Sequence, residues 1–271
     1  MITEVVYTIL LVYSVALLNG AYTHLDRRSL IISGTEIAIQ EAPYQVIIFI
    51  NGLFACGGTI IGSKWILTAG HCAEGEISKE NSTVRAGSQL LDKEGVVIKI
   101  AQAIVHPEYA VLPNNEAYND IGLLLLEKPL NFDGSTITCA LLPDPGKKIS
   151  PGSLGRVCGF GRTHLTLGRM SLTLRATTLT VLPFEQCQTI YRNFTLNADT
   201  QYCIGNNEKH SGSCRGDSGG PFVVDKTIYG IVSWAVSCAD PNYPTVYVDV
   251  GAYLQWIRDT VASVSPEELC N

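Results

Sequence analysis

Three short stretches of this 271-residue chain carry side chains that together suit nucleophilic catalysis. Ser218 stands in "GDSGGP", His71 ends the apolar run "LTAGHC", and Asp120 opens "NDIGLLLL". A serine hydroxyl is a weak nucleophile until a base takes its proton. The base needs a third group to orient it, and the oxyanion that develops needs fixed donors. Gly216, Gly219 and Gly220, lacking a Cβ, permit unusual backbone angles and a close approach of substrate to main-chain amides. The N–H groups of Gly216 and Ser218 are the candidates for an oxyanion hole. Each stretch alone reads more readily as structure: a histidine before a cysteine, an aspartate starting a strand, a glycine-rich loop. Their occurrence together in the order His, Asp, Ser carries the chemical reading, because that is one of the few chain orders in which such a triad recurs.

The elements that must position these residues are mostly strands. Apolar runs such as "YQVIIFING", "GTIIGSKWILTAG", "GVVIKIAQAIVHP", "DIGLLLLEKPL", "TLTVLP", "GGPFVV", "TIYGIVSW" and "PTVYVDV" are rich in Val, Ile, Thr and Tyr and are bounded by Gly, Pro, Asn or Asp. They predict an all-β barrel or sandwich. Only "GAYLQWIRDTVASV" has helical spacing, with Tyr253, Trp256, Ile257 and Val261 recurring at three- and four-residue steps.

With 46% hydrophobic and 16% charged residues the chain is an ordinary globular one, not a disordered one. Its net charge of -6 without long charge runs argues against nucleic acid as a partner. Val5 to Leu18 is almost wholly apolar, short for a bilayer span and suited to a secretory leader, although no Lys or Arg precedes it; a signal anchor is the alternative. Nine cysteines in a secreted chain predict disulfides with one thiol left over. No CxxC pair supports zinc, and no metal or other cofactor is expected. The sequons at Asn81 and Asn193 are glycosylation candidates.

Over residues 31 to about 262 the chain resembles the trypsin/chymotrypsin family of serine endopeptidases. The landmarks are "PYQV", "CGGTIIGSKWILTAGHC", "IVHPEY", "NDIGLLLL", "SCRGDSGGP" and "GIVSW", and the flavour is similar to arthropod, particularly mite, digestive enzymes. The resemblance implies two packed six-stranded antiparallel β-barrels with the site in the cleft between them, followed by the C-terminal helix. It implies His71 as base and later acid, Asp120 as its orienting partner, Ser218 as nucleophile, and Ser233 as a hydrogen-bond donor to Asp120. Gly70 and Gly122 stand where the family usually has alanine, which predicts looser packing with the chemistry intact.

The same map pairs Cys56–Cys72, Cys187–Cys203 and Cys214–Cys238. Cys139, Cys158 and Cys270 remain, with Cys139–Cys270 and a buried free Cys158 as one arrangement. The family bridge that would join positions 155 and 224 is absent, since Gly155 and Val224 stand there. Maturation is expected to expose Ile31, whose ammonium would bury against Asp217. This divides the chain into a leader (1–20), an activation propeptide (21–30) and a peptidase domain (31–271). The cut at Leu30–Ile31 departs from the usual Arg or Lys.

In the primary pocket Gly212 takes the base position, where a tryptic enzyme carries a carboxylate. Ser213, Ser233, Trp234, Ala235 and Thr245 form the rest, and the added bulk of Ala235 and Thr245 looks elastase-like. Small or medium aliphatic residues before the cut are expected, with a chymotrypsin-like preference as the alternative. Arg215 at the pocket mouth reads as a solvated arginine or as a selector of acidic neighbouring residues. Ser88 occupies the start of the family's calcium loop in place of a carboxylate. The expected partners are protein or peptide substrates and protein protease inhibitors. The expected form is a secreted monomer, free of the membrane once the leader is gone, with the gut lumen as one suggested location. A catalytically silent binding homologue is the other function class, and the intact His71, Asp120 and Ser218 argue against it.

Overall fold

A computed structural model describes residues 34–75, 81–114, 116–163, 168–206 and 210–270. The leader, the propeptide and Ile31 lie outside the described residues. The apolar runs become strands that close on themselves, because a sheet with one apolar face must bury it and a closed ring leaves no unpaired edge. After a short β1 (Thr35–Glu36), the first barrel comprises β2 (Gln45–Ile50), β3 (Leu53–Ile60), β4 (Trp65–Thr68), β5 (Thr83–Ala86), β6 (Val96–Val105) and β9 (Gly122–Leu126). These pair antiparallel in the closed order β2-β3-β4-β9-β6-β5. A small hairpin of β7 (Ala110–Val111) and β8 (Ala117–Tyr118) projects between β6 and β9.

The second barrel holds β10 (Leu154–Gly159), β11 (Arg175–Val181), β12 (Gln201–Gly205), β13 (Pro221–Val224), β14 (Thr227–Trp234) and β15 (Thr245–Asp249). Its order is β11-β10-β13-β14-β15-β12, and the β11–β12 pairing closes the ring of six, with β1 added outside β11. The expected pair of six-stranded antiparallel barrels is therefore what the chain forms.

Among the described residues three α-helices accompany the strands: α1 (Gly70–Ala73), α2 (Phe184–Ile190) and α3 (Leu254–Val264). The sequence expectation of helical spacing only at the C-terminus is corrected by α2, which buries one side chain, Cys187, and is too short to show an amphipathic period. In α3, Leu254, Ile257 and Val261 form the buried stripe.

Four disulfides form: Cys56–Cys72, Cys139–Cys270, Cys187–Cys203 and Cys214–Cys238. Cys158 is a buried free thiol whose S–H is 3.3 Å from Gln45 Oε1, and burial pushes its pKa up to about 12. The space that a bridge at positions 155 and 224 would need is filled: a Cβ on Gly155 would stand 2.2 Å from Phe222 Cζ.

The tail after α3 crosses back to the first barrel. Glu267 accepts from the Lys64 N–H at 3.0 Å, Cys270 N–H donates to the Ile61 carbonyl at 3.0 Å, and Cys139–Cys270 locks the return. This bridge spans 131 residues. A Cys139→Ser/Cys270→Ser variant is expected to lose about 3–5 kcal/mol, the loop-entropy scale for a closure of that length. For a chain of this size that lowers the thermal midpoint by on the order of 10 °C. Calorimetry of both forms measures it, and an unchanged midpoint would contradict the stapling role.

Candidate active site

The cleft residues are placed by strand pairing. In the β4–β9 ladder Thr68 faces Gly122, so the segments just beyond each strand end, carrying His71 and Asp120, emerge side by side. The His71 backbone N–H donates to Asp120 Oδ1 at 2.8 Å, and His71 Nδ1 lies 2.8 Å from Oδ2 and 3.1 Å from Oδ1. From the second barrel, the Ser233 hydroxyl on β14 donates to Asp120 Oδ2 at 2.6 Å. The carboxylate thus lies between the barrels, only 1% exposed, with donors from both.

Burial alone would raise the Asp120 pKa, but the His71 hydrogen bond and charge, then Ser233 and the His71 backbone N–H, outweigh it and hold the carboxyl below its usual range. For His71 burial would lower the pKa. The Asp120 hydrogen bond and charge, with a further contribution from Glu74, turn the shift upward. A carboxylate on the Nδ1 side favours the tautomer with its proton there, which leaves Nε2 as the basic nitrogen.

Ser218 sits half-buried on the turn before β13. Its carbonyl accepts from Gly57 N–H of the first barrel at 2.8 Å, and Gly219 N–H donates to the Val232 carbonyl at 2.9 Å, so both barrels hold the turn. Gly219 has φ +77°, and a Cβ there would stand 2.1 Å from Thr68 Oγ1, so this position accepts only glycine without rearrangement. Gly216 has φ +97°. The carbonyl before it, on Arg215, accepts from Arg162 N–H at 2.9 Å. A trans peptide points its N–H opposite to its C=O, so the Gly216 N–H is turned away from Arg162, as an oxyanion donor requires.

Asp217 is buried and accepts from Gly161 N–H at 2.8 Å and Cys214 N–H at 3.0 Å. Desolvation nevertheless pushes its pKa up to about 6 against those two donors. Its carboxylate occupies the room that Cβ atoms on Gly159 and Gly161 would take, at 2.2 and 2.3 Å.

The looser packing expected at Gly70 and Gly122 is not found. A Cβ on Gly70 would meet Tyr109 Cδ2 at 2.9 Å, and one on Gly122 would meet Ala73 Cβ at 2.5 Å. Neighbours have closed onto both glycines, which brings the Tyr109 ring beside Asp120.

Next to Ser218 lies a cavity of about 230 Å³ whose lining includes Ser213, Ser233, Trp234, Ala235, Thr245 and the Cys214–Cys238 bridge. Ser213 donates to Thr245 Oγ1 at 3.1 Å and accepts from the Tyr247 hydroxyl at 3.2 Å. This chain of hydroxyls includes Tyr247, which sequence reasoning missed. The period-two spacing of Thr245 and Tyr247 on one strand was the available signal. Gly212 is buried, and a Cβ there would lie 3.3 Å from Ala239 Cα. Trp234 stacks on Phe194 at 5.5 Å, a contact from the α2–β12 connection with no local sequence sign.

Cys56, His71 and Cys72 come together, but the two sulfurs are joined in a disulfide and are not free thiolate ligands. At the expected calcium-loop position the Ser88 hydroxyl accepts from Leu90 N–H at 2.9 Å and lies 2.6 Å from the Lys93 carbonyl, closing that loop on itself.

Comparison with known proteins gives a consistent answer. The sequence pattern of the family described as Trypsin matches residues 31–257. Trypsin 5G1 of Aedes aegypti is 34% identical over 232 residues, covering 84% of each chain. Trypsin of Phaedon cochleariae is 35% identical over 233 residues (84% of this chain, 87% of the relative), and the vitellin-degrading protease of Bombyx mori is 31% identical over 234 residues, 86% of each. Among solved structures, neuropsin, described as a serine protease expressed in the limbic system of mouse brain, superposes with a TM-score of 0.75 at 28% identity, over 84% of this chain and 98% of its own.

Proposed function

The chain belongs to the trypsin family and is a serine endopeptidase acting on proteins or peptides, and from this premise we propose how it cuts and what it prefers. Ser218 Oγ attacks the scissile carbonyl carbon while His71 Nε2 takes its proton. The carbonyl oxygen, now an oxyanion, receives the Gly216 and Ser218 N–H groups. His71 then gives its proton to the departing amine, leaving an acyl-enzyme, and water repeats the sequence to free the acid. Asp120 keeps the His71 proton on Nδ1 and stabilises the imidazolium. The observation that carries this reading is the Asp120 carboxylate held by His71 on one side and by Ser233 on the other.

The enzyme is non-tryptic, with small or medium aliphatic residues accepted before the cut. The support is a pocket whose inner wall is a chain of neutral hydroxyls, Ser213, Thr245 and Tyr247, with no carboxylate in the lining. A substrate Lys or Arg buried there would lack a charge partner. The small side chain of Ala235 favours, as the second reading, some admission of Phe or Tyr. A peptide library varied at the residue before the cut tests both. Cleavage after Ala, Val or Leu supports the first, cleavage after Phe or Tyr the second, and no cleavage by protein starting at Ile31 would leave a silent homologue. Thr245→Gly, by removing bulk from the pocket wall, is expected to raise the Phe:Val ratio of kcat/KM by about 10-fold or more, the scale on which one or two methylene-sized changes discriminate. An unchanged ratio would remove Thr245 from the specificity account.

The protein is secreted and made as a zymogen. Four disulfides fit an oxidising compartment, and among the described residues no helix is long and apolar enough to cross a membrane. Asn81 and Asn193 are both exposed, as glycan acceptors must be. Asp217, buried with two N–H donors, gains a countercharge from an Ile31 ammonium once Leu30–Ile31 is cut. N-terminal sequencing of the active form is expected to begin at Ile31.

A further inference from the structure

The cavity beside Ser218 lies toward Trp234 and Ala235 and takes the side chain before the cut. Beyond Gly216 lie different groups: a Cβ on Gly216 would meet Phe54 Cε1 at 3.0 Å, Met170 Sδ at 3.0 Å and Gly161 Cα at 3.1 Å. A peptide running out of the pocket and past Ser218 continues onto this surface with its leaving-group half.

Two arginines border that surface. Arg162 pairs across an antiparallel bridge with Met170, so their side chains share a face, and Met170 marks that face as the one turned to Gly216. Arg215 is exposed at the pocket mouth, and its carbonyl is tied to the Arg162 N–H at 2.9 Å. Among the described residues neither guanidinium forms an ion pair with a carboxylate. Arg162 Nε is shielded from solvent and has no hydrogen-bond partner among the described residues. Glu74, the carboxylate whose field reaches His71, follows α1 in the first barrel and does not belong to this hairpin.

We propose that Arg162 and Arg215 select substrates with acidic side chains in the first few residues after the cut bond. A carboxylate there is attracted by the two positive charges and accepts charge-assisted hydrogen bonds from them. The inference rests on the acyl-transfer reading of Ser218 and adds to it the chemistry of the leaving-group half. Arg169 supplies an internal control. It is adjacent to Met170, so its side chain takes the opposite face of the hairpin and carries the same charge away from the cleft.

The test uses the activated full-length protein and internally quenched peptides that are identical up to the cut and carry Ala, Glu or Lys at the next three positions. At low salt the Glu peptide is expected to exceed the Lys peptide in kcat/KM by about 10-fold, the product of two partly exposed ion pairs each worth a few-fold. At 1 M salt, where screening acts within about 3 Å, the ratio is expected to fall toward unity. Arg215→Ala alone reduces the preference, Arg162→Ala/Arg215→Ala abolishes it, Arg162→Lys/Arg215→Lys retains most of it, and Arg169→Ala leaves it intact. Should the double alanine variant fail to fold, the exposed Arg215→Ala and the lysine pair still decide. Equal rates on all three peptides, or a preference that Arg169→Ala removes as well as Arg215→Ala does, overturns the proposal. If no peptide is cut, the acyl-transfer reading fails first; if the Ala peptide is cut without a Glu preference, only this inference fails.

Discussion

Ser218→Ala, carried through to the same Ile31 terminus, is expected to hydrolyse its best peptide about 10⁶-fold more slowly than the parent, the scale seen when the nucleophile of such a triad is removed. On the proposed mechanism the loss is this large because Ser218 Oγ is the atom that forms the bond of the acyl-enzyme. What remains is the proposed oxyanion hole of the Gly216 and Ser218 N–H groups, which stays in place because main-chain bonds to Gly57 and Val232 hold the turn. Residual rates should therefore still exceed the uncatalysed reaction by about 10³–10⁴. His71→Ala is expected to cost a similar factor, and the double variant little more than either, because base and nucleophile act as one unit. Single-turnover assays with a quenched peptide measure all three. A Ser218→Ala rate within tenfold of the parent, or full additivity in the double variant, would contradict the roles of Ser218 as nucleophile and His71 as its base.

Asp120→Asn is expected to cost about 10⁴-fold in kcat, because an amide can donate to His71 Nδ1 and so stabilise the tautomer whose proton sits on Nε2, facing the serine it should deprotonate. The variant carries a second signature. In the parent, activity is expected to rise with pH as His71 loses its proton, with a midpoint above that of an ordinary histidine, since the Asp120 hydrogen bond and charge overcome desolvation. Removing that carboxylate leaves desolvation, which disfavours the charged ring, so the midpoint of the residual activity moves downward. A pH–rate profile of each form tests the sign. An unchanged midpoint, or a loss below tenfold, would mean that Asp120 does not set the state of His71. Ser233→Ala offers a milder version: it removes one donor from the carboxylate and leaves the His71 contacts.

Each barrel holds strands that the sequence announces openly and strands that it does not. β2, β9, β13, β14 and β15 are runs of aliphatic and aromatic residues that are buried over most of their length, and β6 is an equally apolar run although only Ile100 in it is buried; composition alone identifies all six. β5 ("TVRA"), β10 ("LGRVCG") and β12 ("QYCIG") carry too few apolar residues and too much Gly, Arg or Gln to stand out. They are strands because neighbours on both sides supply the ladder, a tertiary override of local preference. The helix at Phe184–Ile190 escaped for a related reason: it is two turns long and is fixed by the Cys187–Cys203 bridge and the packing of Tyr191, not by its own periodicity.

By itself the sequence determined the chemistry: a serine among glycines, a histidine beside a cysteine and an aspartate at a strand mouth, in one chain order, with no carboxylate six residues before the serine. Tertiary structure alone decided that His71 meets Asp120 across 49 residues and that Ser233 reaches the same carboxylate across 113. It also decided that Cys139 reaches Cys270, that Gly212 packs against Ala239, and that the Arg162 N–H meets the Arg215 carbonyl. Residue type and local spacing fix what an atom can donate, accept or attack. Which atoms come within about 3 Å of one another, the reach of a hydrogen bond, depends on how two rings of strands close, and no local stretch of chain contains that information.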